Sequence, residues 1–151
     1  MSRSTRTTGT PLLDWQPPEL APRFDEVCVR SVSWRGRMAK AVSTALKECG
    51  MDREEVAVKM SDFLGEEVSK PMLDAYASEA REEHTISAVR LFALANITDD
   101  PRLFQVMCEG SGYVVIPEKY QAAIEEAIWT DREEEAAQRK VLARRVWKGG
   151  R

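Results

Sequence analysis

Side chains that commonly carry out catalysis are few and scattered in this sequence. His84 is the single histidine among 151 residues, and none of the three cysteines lies near it. A serine nucleophile needs a histidine base that an acid orients, and a lone histidine at the start of a helix more often caps or packs than catalyses. The sequence therefore predicts no enzyme, no small-molecule substrate and no organic cofactor.

Cys28, Cys49 and Cys108 are too far apart to suggest a shared site. An odd number of cysteines without short spacings argues against a disulfide framework and against a zinc site. We expect reduced, half-buried thiols in a cytoplasmic protein with no bound metal. No apolar run approaches the roughly 20 residues of a membrane span, and the polar residues 1–10 lack the apolar stretch of a secretory signal.

The charges are unevenly distributed, although the net charge is only −3. Residues 41–119 hold fifteen acidic and eight basic side chains, and basic clusters lie on either side of this acidic middle. Phosphate binding needs such local clusters, whatever the total charge. The clusters contain Arg30, Arg35, Arg37 and Lys40 on one side, and Arg139, Lys140, Arg144, Arg145 and Lys148 on the other.

Apolar residues recur at helical spacing through most of the chain, so the sequence predicts an all-α fold. The predicted helices cover residues 34–49, 52–64, 69–80, 87–95, 101–110 and 118–147. Asp52 is the predicted cap of the second helix, and Glu55 lies three residues later, where it completes a capping box. Gly50 and Gly65 are the expected stops of the first two helices.

Two short segments have a pattern that also fits β-strands. Residues 27–33 alternate imperfectly, which fits a short strand or an extended lead-in, and residues 113–116 form a short β-branched run. One strand needs a partner, so these two segments are a candidate pair, unless another copy of the chain supplies it. Residues 1–33, which hold four prolines, are predicted to form an irregular arm before a helical domain at residues 34–116 and a long helix at 117–151.

The helices predicted at residues 52–64 and 69–80 fit a helix-turn-helix. That motif needs a small residue on the first helix, where the second one crosses it, and apolar residues on both sides of the turn. Ala57 is the small residue, and Val56, Met60, Leu64, Val68 and Leu73 are the apolar ones. An ordinary helical pair in a bundle has the same pattern.

From about residue 51 to residue 120 the chain resembles the phage CII-like regulatory proteins, a group with a lambda-repressor-like helix-turn-helix. Two blocks of the helical pair carry most of the resemblance, and three later segments extend it. The blocks are Glu54-Glu55-Val56-Ala57 and Val68-Ser69-Lys70-Pro71-Met72-Leu73, and the later segments are His84 with Ile86, Leu91-Phe92-Ala93-Leu94 and Thr98-Asp99-Asp100, followed by residues 103–110.

The resemblance implies a five-helix DNA-binding domain whose reading helix covers residues 69–80. The implied function is regulation of transcription or replication in a phage or prophage, by a homo-oligomer bound to double-stranded DNA. The residues expected to face the bases are Ser69, Lys70, Asp74 and Ala77. The residues expected to contact phosphates are Arg35, Arg37, Lys40, Arg139, Lys140, Arg144 and Arg145.

Two features favour a different function, a helical protein-interaction or adaptor module without DNA binding. The turn at residues 62–68 is longer than the usual tight one, and the presumed reading helix has only Lys70, with Arg81 just beyond it, as basic residues. Arginine and lysine make the commonest specific contacts to guanine. The basic end of the last helix also has two interpretations, since it fits a phosphate-contacting tail and equally a solvated helix face or a dimer contact.

Overall fold

The computed structural model describes residues 22–81 and 83–149, and all regular structure in this part of the chain is helical. The all-α prediction is therefore confirmed. The helices are α1 (Glu26–Val29), α2 (Trp34–Glu48), α3 (Arg53–Leu64), α4 (Lys70–Tyr76), α5 (Ala88–Thr98), α6 (Arg102–Cys108) and α7 (Gln121–Gly149), and a 3₁₀ turn (Glu118–Tyr120) precedes α7.

Helix α3 lies at the centre of the first part of the fold, where it packs against α4 and α5. Helix α2 packs against α1, α4 and α6, and α5 also contacts α6. The core that these contacts enclose is apolar. Its largest fully buried hydrophobic side chains include Met60, Leu73, Leu91, Leu94 and Leu103.

The core extends to residues that precede the predicted start of the domain at residue 34. Phe24 and Val29 are both buried, Val29 completely. The ring of Phe24 lies beneath the guanidinium of Arg102, whose central carbon is 4.3 Å from the ring centroid. The segment before α2 is thus a packed part of the helical unit from Phe24 onward.

The predicted strand pair is wrong. Residues 26–29 form α1, because the Asp25 carboxylate caps this turn by accepting the Val27 N–H at 2.9 Å. Residues 113–117 have no regular structure, and the Val115 N–H donates to the buried side-chain carbonyl of Gln105 at 2.8 Å. The Gln105 side chain thus accepts the Val115 N–H, which a partner strand would otherwise do.

The capping box at the start of α3 forms only in part. The Asp52 carboxylate accepts the Glu55 N–H at 2.7 Å, as expected. The Glu55 carboxylate, however, accepts from Lys59 at 2.7 Å one turn further along the helix. An i,i+4 ion pair therefore takes the place of the reciprocal bond to the helix start.

Helix α4 is shorter than predicted, since it ends at Tyr76 and not near residue 80. Ala77 closes it, and the Ser78 N–H bonds back to Ala75 only three residues earlier. Beyond Ala77 the sequence offers no large apolar side chain to the core until Ile86, so packing does not sustain another turn. The intervening backbone, where the structure describes it, is a series of turns.

The chain divides into two compact units, with the boundary in the sequence between Val115 and Ile116. In the second unit, every side chain of α7 is solvent-exposed, including those of Trp129 and Trp147. No helix among the described residues combines the length and the apolarity that crossing a bilayer requires.

Candidate nucleic-acid interface

The turn between α3 and α4 is held by the hydroxyl of Ser61. Ser61 Oγ accepts the Val68 N–H at 2.9 Å and lies 2.8 Å from the Ala57 carbonyl oxygen, to which it donates. Gly65 ends α3 with a left-handed φ of 68°, a conformation that costs glycine little. The longer turn is therefore a defined connection with its own hydrogen bonds.

Sequence reasoning did not identify Ser61. The sequence feature that could have identified Ser61 is its hydroxyl four residues after the small Ala57. This spacing places the two residues on the same side of the helix. Ala57 itself is buried, as are Val56 and Met60 on α3. The small residue and the apolar residues expected of a helix-turn-helix therefore lie in the core around this turn.

The polar side chains at the start of α4 bond to the preceding helix. Lys70 Nζ donates to Glu54 Oε1 at 2.9 Å, and the Arg53 guanidinium donates to the Asp74 carboxylate. Both contacts join α4 to the first turn of α3. Two of the four residues predicted to face DNA bases are thus paired with side chains of the same protein.

The remaining two predicted base-reading residues occupy the ends of α4. Ser69 is the N-cap residue and Ala77 the C-cap residue, and both are half-buried. Ala77 also packs against the hydrophobic core. The seven-residue helix therefore presents mainly Lys70, Pro71 and Asp74 on its outer side.

Three carboxylates, those of Glu54, Asp74 and Asp52, lie near Lys70, and Asp74 is in turn paired with Arg53. The hydrogen bond from Lys70 to Glu54 raises the pKa of the lysine, and the nearby charges of Asp74 and Asp52 act in the same direction. Lys70 is thus cationic at neutral pH, but carboxylates surround it. A phosphate that approached this point would compete with Glu54 for the ammonium.

On α2, the predicted phosphate-binding residues Arg37 and Lys40 have acidic partners. Arg37 donates to Glu26 of α1 and to Glu109 at the end of α6, and these hydrogen bonds raise its pKa. Lys40 forms an ion pair of 3.4 Å with Glu79. Arg35, on the same helix, is solvent-exposed.

The basic end of α7 is an exposed, positively charged stretch of the described chain. Arg139, Lys140, Arg144 and Arg145 are all exposed, and residues 136–149 contain no acidic side chain. Arg139 has Glu135 at 3.8 Å one turn earlier in the same helix. This end of α7 therefore keeps a net positive charge that a phosphate backbone can contact.

Arg90 is a positioning residue that the sequence did not suggest. From α5 its guanidinium donates to the hydroxyl of Tyr76 on α4 and, at 3.0 Å, to Glu66 in the turn before α4. These hydrogen bonds raise the pKa of Arg90. The end of α4 and the preceding turn are thereby fixed to α5.

The three cysteines form no disulfide, and Cys28 is exposed, whereas Cys49 and Cys108 are half-buried. Cys28 therefore departs from the expected half-buried thiols, whereas Cys49 and Cys108 agree with that expectation. Comparison with known protein families, with characterised proteins and with solved structures finds no match for this chain.

Proposed function

We propose that this chain is a non-enzymatic, DNA-binding regulatory protein of phage or prophage type, which acts as an oligomer on double-stranded DNA. The observation that carries the proposal is the α3–α4 pair, in which Ser61 and Gly65 define the turn and Ala57 is the small buried residue. A helix-turn-helix places its second helix against the major groove and uses nearby cations to contact phosphates.

In this proposal, two surfaces contact the DNA, one on α4 and one at the basic end of α7. Helix α4 has a single cation, Lys70, so it supplies few contacts that could read bases. The exposed basic end of α7 supplies a larger, sequence-independent attraction to phosphates. The proposal therefore implies modest affinity for one copy and a need for several copies on one DNA.

Fluorescence anisotropy tests the proposal, with labelled duplex DNA titrated at low and at moderate salt. We expect an affinity that falls steeply as salt rises, because binding to phosphates releases counterions. Arg144→Ala with Arg145→Ala should reduce the salt slope by about one for each phosphate that the protein no longer neutralises. No binding even at low salt would exclude DNA as the partner.

A matched pair of lysine variants tests the role of α4. Lys70 and Lys59 each bond to a glutamate of α3, at 2.9 Å and 2.7 Å, and their side chains are 47% and 48% exposed. Lys70→Ala removes the cation of the presumed reading helix, whereas Lys59→Ala removes a similar ion pair elsewhere. Only Lys70→Ala should weaken DNA binding, and equal effects would show that α4 does not face the DNA.

A second function, a protein-interaction module without DNA binding, is favoured by the pairing of Lys70 and Asp74 with Glu54 and Arg53. These contacts use the polar side chains that would otherwise meet a DNA groove. Salt distinguishes the two functions, since a partner held by apolar contacts does not dissociate steeply as ionic strength rises.

A further inference from the structure

Helix α7 is 29 residues long, and none of its side chains is buried. It nevertheless carries large apolar residues, such as Ile124, which is 41% exposed, and Val146, which is 78% exposed. Most helical stability in proteins comes from packing of an apolar face against another element. Within its own compact unit, over the described residues 116–149, this face has no such partner.

Four aliphatic residues of α7 lie on one side of the helix, whereas Trp129, Val141 and Trp147 lie about 120° from the centre of that side. An α-helix turns by about 100° per residue, so residues 18 apart point in the same direction after about five turns. Ile124 and Leu142 are separated in this way, and so are Ile128 and Val146. Since Ile128 follows Ile124 by about one turn, the four side chains form a single face.

The order of residues along this face is symmetric about Glu135. The same spacings, of four, three and four residues, occur in both directions from it. Two aliphatic positions lie at each end, and a charged position lies between them and the centre. The positions are Ile124, Ile128 and Asp131 before Glu135, and Arg139, Leu142 and Val146 after it.

The charges of α7 are separated along its length. Residues 121–135 hold six acidic side chains and one basic one, and residues 136–149 hold five basic side chains and no acidic one. A second copy that runs in the opposite direction would place each acidic half beside a basic half. A parallel copy would place like charges together along the whole helix, which is unfavourable, whereas an antiparallel copy centred on Glu135 does so only for the two Glu135 side chains.

We infer that two copies of this chain pair through α7, antiparallel, with the two-fold axis at Glu135. Ile124 of one copy is then level with Val146 of the other, and Ile128 with Leu142. Asp131 of each copy is level with Arg139 of the other, which also lies 3.8 Å from Glu135 of its own helix. Such an interface uses the same surface on both copies, as a two-fold dimer requires.

The inference rests on the proposed function, because it supplies the second copy that the regulator needs. Its test is nevertheless separate, because the association of the full chain is measured without DNA. A chain that stays monomeric at tens of micromolar in sedimentation equilibrium would overturn the pairing. The anisotropy titration would still decide on DNA binding.

Exchange of the charges at Asp131 and Arg139 tests whether the two α7 helices run antiparallel. Asp131→Arg places two arginines at each Asp131–Arg139 contact, and Arg139→Asp places two aspartates there. We expect each single variant to raise the dimer Kd by about tenfold or more, because two symmetric contacts become repulsive. The double variant restores opposite charges and should return the Kd to within about threefold of the original.

A parallel pair would respond differently, because it would keep like charges together in the double variant as well. A double variant whose dimer Kd is no lower than those of the single variants would therefore overturn the antiparallel arrangement.

Glu133→Arg is the matched control, since it changes the net charge as Asp131→Arg does but lies about 160° from the centre of the face. Equal effects of these two variants would overturn the assignment of the face, and circular dichroism verifies that each variant retains its helix content.

Discussion

Arg37 Nε donates to Glu109 Oε2 across 2.6 Å, and the side chains of both residues are only 16% exposed. This contact joins α2 to the residue that ends α6. The other nitrogens of the guanidinium donate to both carboxylate oxygens of Glu26, at 2.7 and 2.8 Å. Arg37, predicted from the sequence as a phosphate contact, therefore connects three helices through a single guanidinium.

Arg37→Ala should destabilise the fold by about 1–3 kcal/mol, because it leaves the half-buried Glu109 carboxylate without its donor. Arg37→Lys should recover only part of this stability, since an ammonium cannot reproduce the bidentate geometry. Urea denaturation measures both. Lys59→Ala breaks an exposed i,i+4 pair and should cost no more than about 0.5 kcal/mol. An Arg37→Ala protein as stable as the Lys59→Ala protein would contradict a structural role for Arg37.

The contact between Arg37 and Glu26 should make stability depend on pH. The hydrogen bond from Arg37 lowers the pKa of Glu26 below 4.5, its ordinary value. Since the folded pKa is the lower one, the stabilisation is present above pH 4.5 and disappears as pH falls through the folded value. Glu26→Gln should therefore lower the urea midpoint at neutral pH and have less effect at about pH 3. An equal effect at both pH values, or a full effect in the Arg37→Ala background, would contradict this assignment.

Ser61→Ala should destabilise the protein by about 1–3 kcal/mol, because the Val68 N–H would lose its acceptor beside a buried side chain. Thr130→Ala is a suitable control, since the Thr130 hydroxyl donates only to the Glu126 carbonyl in an exposed helix. The control should shift the free energy of unfolding by no more than about 0.5 kcal/mol. Thermal and urea unfolding of both variants would check this, and equal shifts would show that the turn does not depend on Ser61.

Gly36 lies where α2 passes close to the preceding loop. A β-carbon at this position would clash with Ser31 Oγ, and it would lie 2.8 Å from Glu79 Oε1 and 3.1 Å from Ser31 Cβ. We expect Gly36→Ala to destabilise by about 1–2 kcal/mol, although alanine is the better helix former by about 1 kcal/mol.

Ser31→Ala removes the hydroxyl that the new methyl group would meet, so it should reduce the cost of Gly36→Ala. A double-mutant cycle, measured by urea denaturation, gives this coupling directly. Additive effects of the two substitutions would show that the loop moves away without strain.

Both ends of α3 could be predicted from the sequence by the local rules for helix caps. Asp52 caps this helix and Gly65 ends it, because both effects depend only on neighbouring backbone. Val27 and Val29 lie in a helical turn, although the alternation in residues 27–33 also fits a strand or an extended lead-in. Valine favours strands by packing on a half-buried sheet, but here only Val29 reaches the core, and a single turn of helix is enough to place it there.

The candidate site was less predictable because its contacts join residues that are distant in sequence. Lys70 and Asp74 were correctly placed on α4, but their pairing with Glu54 and Arg53 depends on how α4 packs against α3. A count of basic residues likewise could not distinguish Arg37, which binds two carboxylates, from Arg144, which is exposed on α7.

The burial of Phe24 and Val29 determines where the protein can be shortened. A fragment cut at residue 34, where the sequence alone would place the domain start, lacks both side chains and leaves the apolar surface beneath them open to water. It also removes the ring beneath the Arg102 guanidinium. An expression fragment of the first unit should therefore begin no later than Pro22, and one that begins at Trp34 should be prone to aggregation.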